Sequence, residues 1–342
     1  MQFASDNTSA AHPEVLAALT RANEDYAPAY GADRYTAELT ERLRELFQAP
    51  DALVYPMTSG TATNAMLLAA MSPPWGVIYC HEDAHIEVDE RGAVTLFAGG
   101  AKLKPLPSQD GRIDPAQLAQ TVTVEAARKD IHAMPPACVS ITNITENGVL
   151  YTLAQISEIA SATRLPLHID GARLANALAA CGASPWEMTR EATALSLGGT
   201  KFGAFGAEAA VLFDPALQEA FESQRMRGGQ NLSKARFVSA QMLALLKDDL
   251  WIRLGAHANA MAARLAEGLV ERGAELAYPV DGNMIFARLP LARHITAWER
   301  GAAYHPMEDI ATASAQTPVL ARFVASWSTT EAEVDALLAA LD

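Results

Sequence analysis

Short apolar runs alternate with helical patterns between residues 52 and 213 of the chain. The runs predict buried strands at 52–56, 76–80, 137–142, 165–169, 194–198 and 208–213. Helices are predicted between them at 61–71, 152–164 and 185–192. This alternation predicts a mostly parallel sheet with helices on both of its faces.

The pattern becomes helical after Phe213, with a run from 233 to 273 that is long enough to predict a break or bend near 248–251. Two strand-like pieces follow at 284–289 and 320–327, and then a last helical segment. We therefore predict an α/β protein with two domains. These are a large N-terminal domain, residues 1–250, and a small C-terminal α+β domain, residues 251–342.

Composition narrows the classes of function. The 342 residues are 50% hydrophobic and carry a formal net charge of −14, which disfavours nucleic acid or an anionic membrane surface as the main partner. Three scattered cysteines do not suit a disulfide framework or a metal site. Neither a membrane span nor a signal peptide is indicated. We expect a soluble cytoplasmic protein that acts on a small molecule and has no metal ion.

The stretch SGTATN, residues 59–64, lies between a predicted strand and a predicted helix. Small residues at a helix N-terminus leave backbone N–H groups free, and the helix dipole favours an anion such as phosphate. The same stretch also suits an ordinary turn in which a Ser or Thr side chain caps the helix.

Two ionisable residues follow predicted strands, Asp170 after 165–169 and Lys201 in SLGGTKFG. Among small apolar residues an ammonium group is poorly solvated, its pKa falls, and the neutral amine can attack a carbonyl. Taken singly, Lys201 could be a solvated loop residue and Asp170 a helix cap. The 31 residues between them fit one strand–helix–strand unit, which would bring both side chains into one crevice.

An acid, a lysine and a phosphate-binding turn at one sheet edge match pyridoxal phosphate, which needs all three. Asp170 would then keep the pyridinium nitrogen protonated. The stretch HEDAHIEVDERG, residues 81–92, is typical of a solvated turn, although a metal site or a surface histidine is also compatible with it. We select His85 rather than His81 as the aromatic side chain that covers the cofactor ring.

Several motifs together resemble the low-specificity L-threonine aldolases, a family of the fold-type I pyridoxal-phosphate superfamily of aspartate aminotransferase. They occur in the family's order: ASDNTS, AYGAD, SGTATN, DAHIEVDERGA, DIH, HIDGARLANA, SLGGTKFGAFGAEA and ARFVASW. The resemblance implies cleavage of L-threonine, L-allo-threonine and related β-hydroxy-α-amino acids to glycine and an aldehyde. One departure is Phe202, since the similar branch commonly has Asn after the lysine.

The resemblance also implies residue roles. Lys201 would form the Schiff base with the cofactor, Asp170 would pair with the ring nitrogen, and His85 would stack on the ring near the substrate hydroxyl. The phosphate would be held by Ser59, Gly60 and Thr61. The substrate carboxylate would be held by Ser5, Arg173 and Arg322, and Arg173 would also lie near the cofactor. His132 would be a second histidine near the hydroxyl. The base that removes the hydroxyl proton stays open between His85, His132 and a bound water.

The resemblance further implies a homotetramer built from two tight dimers, with active sites at subunit interfaces. Tyr30 would approach the site of a neighbouring subunit, and Lys234 or Arg236 would add a phosphate contact across the interface. The alternatives are a β-eliminating lyase, an aminotransferase, a serine hydroxymethyltransferase-like enzyme or an aldolase that prefers phenylserine. A non-enzymatic binding module on the same fold would be indicated by loss of Lys201, which is present.

Overall fold

The structure is a computed structural model that describes residues 1–342. The strands are β1 (Leu53–Met57), β2 (Val77–His81), β3 (Lys102–Leu106), β4 (Pro136–Thr142), β5 (Leu167–Gly171), β6 (Ala194–Gly198), β7 (Glu208–Leu212), β8 (Glu275–Leu276), β9 (Met284–Pro290), β10 (His305–Pro306) and β11 (Pro318–Val324). The helices are α1 (Pro13–Ala22), α2 (Arg34–Leu46), α3 (Gly60–Met71), α4 (His85–Val88), α5 (Ala93–Phe97), α6 (Pro115–Ala127), α7 (Leu153–Thr163), α8 (Leu174–Cys181), α9 (Pro185–Thr189), α10 (Gln218–Arg227), α11 (Arg236–Leu246), α12 (Leu250–Glu271), α13 (Leu291–Glu299) and α14 (Glu331–Ala340).

Seven strands form the large sheet in the order β1-β7-β6-β5-β4-β2-β3. β7 pairs antiparallel with both β1 and β6, and the other pairs are parallel. β5, β6 and β7 are buried along their whole length, because helices pack on both faces of the sheet. The mostly parallel sheet predicted from the apolar runs is confirmed.

Some elements differ from the prediction. β3 was not predicted, because its sequence KLKPL has two lysines and a proline in place of an apolar run. As the last strand of the sheet it has a single neighbour, and an edge strand tolerates charge and proline. The helix predicted at 185–192 ends early, at Thr189.

The second sheet has four antiparallel strands in the order β10-β11-β9-β8. It is reached through the predicted break in the long helical run. There α11 ends and α12 begins around Asp248 and Asp249, whose φ angles are 52° and 53°. α12 packs against α8 on one side and α14 on the other. The predicted domain boundary between residues 250 and 251 stays a prediction.

The N-terminal segment contacts both sheets. Phe3 donates its backbone N–H to Ala303 and accepts one from Val324, and its side chain is buried with the core of the second sheet. His12 donates its backbone N–H to Gly203, two residues after Lys201. The segment therefore ties the loop of the lysine to the second sheet. None of the helices combines the length and apolar character needed to cross a membrane.

Candidate active site

A cavity of about 290 Å³ lies at the carboxyl edge of the large sheet. Its lining includes Ser59, Gly60, Thr61, His85, Lys201 and Glu208. These side chains come from the ends of different strands, because the carboxyl ends of parallel strands meet at one sheet edge. The structure thus brings together the predicted phosphate turn, histidine and lysine.

Lys201 lies in a short 3-10 helix, Thr200–Phe202, directly after β6. Glycines let this loop pack closely, since a Cβ atom on Gly198 would lie 2.6 Å from the Ala172 carbonyl oxygen, and one on Gly199 would lie 2.5 Å from the Ala207 carbonyl oxygen. Phe202 is buried in the large core, so the unusual phenylalanine does not line the cavity.

A buried carboxyl group, Glu208, holds the lysine loop. Its Oε2 accepts the Gly199 N–H at 3.0 Å, and its Oε1 accepts the Thr200 hydroxyl at 2.6 Å. Burial raises the pKa of Glu208 to about 7, although the two hydrogen bonds and the nearby Lys201 ammonium oppose that rise. Glu208, beside the lysine, thus has a pKa close to neutral pH.

Asp170 is buried at the end of β5. Its Oδ2 accepts from Asn64 Nδ2 at 2.8 Å and its Oδ1 accepts from the Ala172 N–H at 3.0 Å. It is not the cap of the following helix, because the residue before α8 is Arg173, whose side chain makes no cap bond. The helix-cap alternative for Asp170 is therefore wrong.

His85 is the first residue of α4, and its Nδ1 lies 2.8 Å from Oε1 of Glu90. Glu90 is buried, and Asn64 Nδ2 also donates to the same Oε1 at 3.0 Å. The hydrogen bond to Glu90 raises the pKa of His85, burial opposes it, and the charges of Glu146 and Asp170 add to the increase. No group of three or more His, Cys, Asp or Glu side chains could hold a metal ion.

The N-terminus of α3 is open to an anion. Ser59 precedes Gly60 and makes no side-chain cap bond, so the first N–H groups of the helix have no partner within the chain. Together with Lys201 and Asp170, these donors fit pyridoxal phosphate, which requires an amine, a carboxylate at the ring nitrogen and donors for its phosphate.

Arg173 is held by the N-terminal segment. Its Nε and Nη2 donate to the two carboxylate oxygens of Asp6 at 2.7 and 3.0 Å, and both side chains are buried. Burial would raise the pKa of Asp6, but the Arg173 guanidinium and the Lys201 ammonium hold it below its ordinary value. Ser5 caps the short helix that carries Asp6. Asn283 adds a bond to Asp6 at 3.0 Å, so three parts of the chain meet here.

Arg322 comes from β11 of the second sheet. It lies two residues from both Leu320 and Val324, which pack on the large core. Across the sheet it pairs with Phe286, which belongs to the same core. Since side chains two residues apart share a strand face, Arg322 lies on the face toward the large sheet. Its Nε is buried and has no hydrogen-bond partner, and no carboxylate of the chain forms an ion pair with it.

Within one chain His132 lies away from Asp170, so its predicted place near the substrate hydroxyl stays a prediction. His132 is exposed in the turn before β4, at the amino edge of the sheet. Asp170 pairs with Thr142 at the other end of that strand, about 20 Å away at the usual rise per residue. A sequence motif could not show which edge of the sheet it would occupy.

Three further predicted residues lie outside the Lys201 cavity of their own chain. Tyr30 is exposed and lines a separate cavity with Tyr55 and Arg225. Lys234 and Arg236 line another, beside Tyr26. The predicted contacts of these side chains with the site of a second subunit stay predictions.

Several buried polar partners were not predicted from the sequence. They are Asp6, Asn64, Glu90 and Glu208, each of which bonds a predicted residue or its loop. All four stand inside the motifs ASDNTS, SGTATN, DAHIEVDERGA and SLGGTKFGAFGAEA, but nothing in the spacing indicates which residues they bond.

Comparisons with known proteins agree on one family. The sequence model of the beta-eliminating lyase family matches residues 2–291. A low specificity L-threonine aldolase of a Pseudomonas species is 37% identical over 344 residues, which covers 99% of this chain and 96% of the relative.

Solved structures show the same fold. A threonine aldolase from Leishmania major superposes with a TM-score of 0.92 at 29% identity, covering 99% of this chain and 98% of that one. A serine palmitoyltransferase from S. paucimobilis, solved with a bound PLP–myriocin aldimine, has a TM-score of 0.71 at 15% identity, covering 100% of this chain and 86% of that one.

The fold and the cavity define a fold-type I pyridoxal-phosphate enzyme, as predicted. The chain belongs to the beta-eliminating lyase family, and its relatives at high coverage are low-specificity L-threonine aldolases. The predicted family, fold class and lyase class are confirmed.

Proposed function

We propose that this protein cleaves L-threonine, L-allo-threonine and related β-hydroxy-α-amino acids to glycine and an aldehyde. The observation that carries the proposal is one cavity lined by Lys201 and the open N-terminus of α3, with Asp170 held beside it by Asn64 of the same helix. The names of the relatives support this reaction over the other reactions of the fold.

Each residue has a proposed task toward the cofactor. Pyridoxal phosphate, when bound, supplies a ring that accepts the electron pair of the broken Cα–Cβ bond. Lys201 would hold the carbonyl carbon of the cofactor, and Asp170 would keep a proton at the ring nitrogen. The N–H groups of Gly60 and Thr61, with the hydroxyl of Ser59, would bind the phosphate.

The substrate would be oriented by its carboxylate and deprotonated at its hydroxyl. Arg322 would bind the carboxylate, with Arg173 and Ser5 beside it, because an arginine fork grips two oxygens in one plane. His85 would cover the ring and accept the hydroxyl proton on Nε2, since it is the histidine that lines the Lys201 cavity.

We also propose a homotetramer of two tight dimers that works in the cytoplasm. Exposed aromatic side chains support an interface. Phe205, next to the cavity residue Gly206, is 74% exposed, and Tyr26, beside Lys234 and Arg236, is fully exposed. Three cysteines without disulfides suit a reducing compartment. Light scattering that gives the mass of a monomer would contradict the proposed interface.

The reaction is tested with purified protein, pyridoxal phosphate and L-threonine, without folate or a keto acid. We expect glycine and acetaldehyde in equal amounts, and Lys201→Ala should lose at least about a thousandfold in rate because it lacks the nucleophilic amine. L-serine serves as the comparison substrate. Faster formation of pyruvate from serine than of acetaldehyde from threonine would show a β-eliminating lyase instead.

A further inference from the structure

We propose that Glu90 is a positioning residue that fixes the His85 ring with its proton on Nδ1, so that Nε2 faces the cavity as the proton acceptor. This inference rests on the proposed role of His85 as the base. It starts from the 2.8 Å contact between His85 Nδ1 and Glu90 Oε1. The Glu90 side chain is fully buried while that of His85 is 33% exposed, so the contact holds the ring from its inner side.

The two ring nitrogens of His85 therefore have different surroundings. Nδ1 contacts a buried carboxylate, and Nε2 makes no hydrogen bond to the protein. A carboxylate oxygen accepts and does not donate, so the neutral imidazole places its hydrogen on Nδ1. The lone pair of the neutral ring is then on Nε2, where a substrate hydroxyl can reach it.

Asn64 connects this pair to Asp170. Its Nδ2 donates one hydrogen to Glu90 Oε1 at 3.0 Å and the other to Asp170 Oδ2 at 2.8 Å. Two buried carboxyl groups thus share one amide nitrogen, an arrangement that is unfavourable unless positive charge lies close to both. His85 would supply that charge to Glu90 once Nε2 accepts a proton, and a proton on the cofactor ring would supply it to Asp170.

The electrostatics favour a more basic histidine. The hydrogen bond to Glu90 is the largest cause of the raised pKa of His85, and the charges of Glu146 and Asp170 act in the same direction. Burial raises the pKa of Glu90 itself, while its bonds to His85 and Asn64 oppose that rise. Two other ionisable groups line the same cavity. The positive charge of Lys201 works against a proton on His85, whereas the carboxylate form of Glu208 favours one.

Glu90→Gln tests the proposal. Glutamine keeps an acceptor for Asn64 and His85 at the Oε1 position and can place its amide group at Oε2, which has no partner in the wild-type protein. The measurement is the pH dependence of hydrogen–deuterium exchange at Cε1 of each histidine in the cofactor-loaded enzyme, followed by mass spectrometry. Protease cleavage after Glu82 separates His85 from His81, so the exchange of His85 is observed on its own peptide.

We expect Glu90→Gln to lower the titration midpoint of His85 by about one pH unit, because the neutral amide stabilises the imidazolium less than the carboxylate. Glu90→Asp keeps the charge one methylene farther away and should give an intermediate midpoint. Glu87→Gln removes an equal charge from the exposed side of α4 and should leave the midpoint unchanged. An unchanged His85 midpoint in both Glu90 variants would overturn the proposal.

The kinetic comparison separates this inference from the proposed function. The acid limb of kcat/KM against pH for threonine should move to lower pH by the same amount as the His85 midpoint. If the His85 midpoint shifts but the acid limb of kcat/KM does not, Glu90 still sets the protonation state of His85. In that case, however, His85 is not the base, and the proposed function of this residue is wrong.

Discussion

Glu208 shows how a single buried residue can make the protein sensitive to pH. Its carboxyl group receives two hydrogen bonds from the lysine loop, yet burial still raises its pKa from 4.5 to about 7. Between those values the folded chain keeps the Glu208 proton, whereas the unfolded chain releases it. The free energy of unfolding therefore falls as the pH rises through this window and levels off above it.

Glu208→Gln should remove this pH dependence. A flipped amide can accept from the Gly199 N–H and donate to the Thr200 hydroxyl, so both contacts survive. We expect the stability of the variant relative to the wild type to increase by about 2 kcal/mol between about pH 5 and about pH 8. Urea unfolding of the cofactor-free proteins measures the difference. Glu219→Gln, an exposed change on α10, is the control, and parallel pH curves for Glu208→Gln and wild type would contradict the assignment.

At the scale of elements, the sequence predicted what depends on local periodicity. The buried strands β4 to β7 have the apolar runs that a sheet covered on both faces requires, and all four strands were predicted. β3 was missed because an edge strand needs no such run. The partners of the site were missed for another reason: Asn64 and Asp170 are 106 residues apart, and only the packing of α3 on the sheet brings them together.

Contacts between helices also depend on single glycines. A Cβ atom on Gly255 of α12 would lie 2.8 Å from the carbonyl carbon of Ala175 and 3.0 Å from the backbone nitrogen of Asn176, both in α8. Backbone atoms cannot rotate away, so the added methyl group would separate the two helices. α8 follows β5 and the Asp170 turn, which links this packing to the site.

Gly255→Ala should therefore destabilise the protein by about 2 kcal/mol, although alanine has the higher helix propensity. Gly268→Ala on the same helix is the matched control. Its Cβ atom would meet only the Leu338 side chain, at 2.3 Å, and a side chain can move. Chemical denaturation of both variants measures the difference, and an equal loss at the two positions would contradict the backbone explanation.

At the scale of the whole molecule, the candidate site is assembled from parts that the chain order keeps separate. The N-terminal segment supplies Asp6, which is already paired with Arg173, and Asn283, directly before β9, bonds the same carboxylate. Arg322 comes from that second sheet and has no carboxylate partner. Of the two arginines predicted to bind the substrate carboxylate, Arg322 is thus the one with a free charge.

Arg322→Ala should raise KM for threonine by about ten- to a hundredfold, because the substrate carboxylate loses its unpaired guanidinium partner. Cofactor affinity should stay unchanged, since Lys201 and the α3 N-terminus lie on the large sheet. Arg322→Lys should recover only part of the affinity, because an ammonium group cannot bind both oxygens in one plane.

The control is Arg288→Ala on the neighbouring strand, where the guanidinium is already paired with Glu308. Steady-state kinetics and cofactor titration give the two readouts. A KM equal to that of the wild type in Arg322→Ala would place the carboxylate elsewhere, with Arg173 released from Asp6 as the next residue to test.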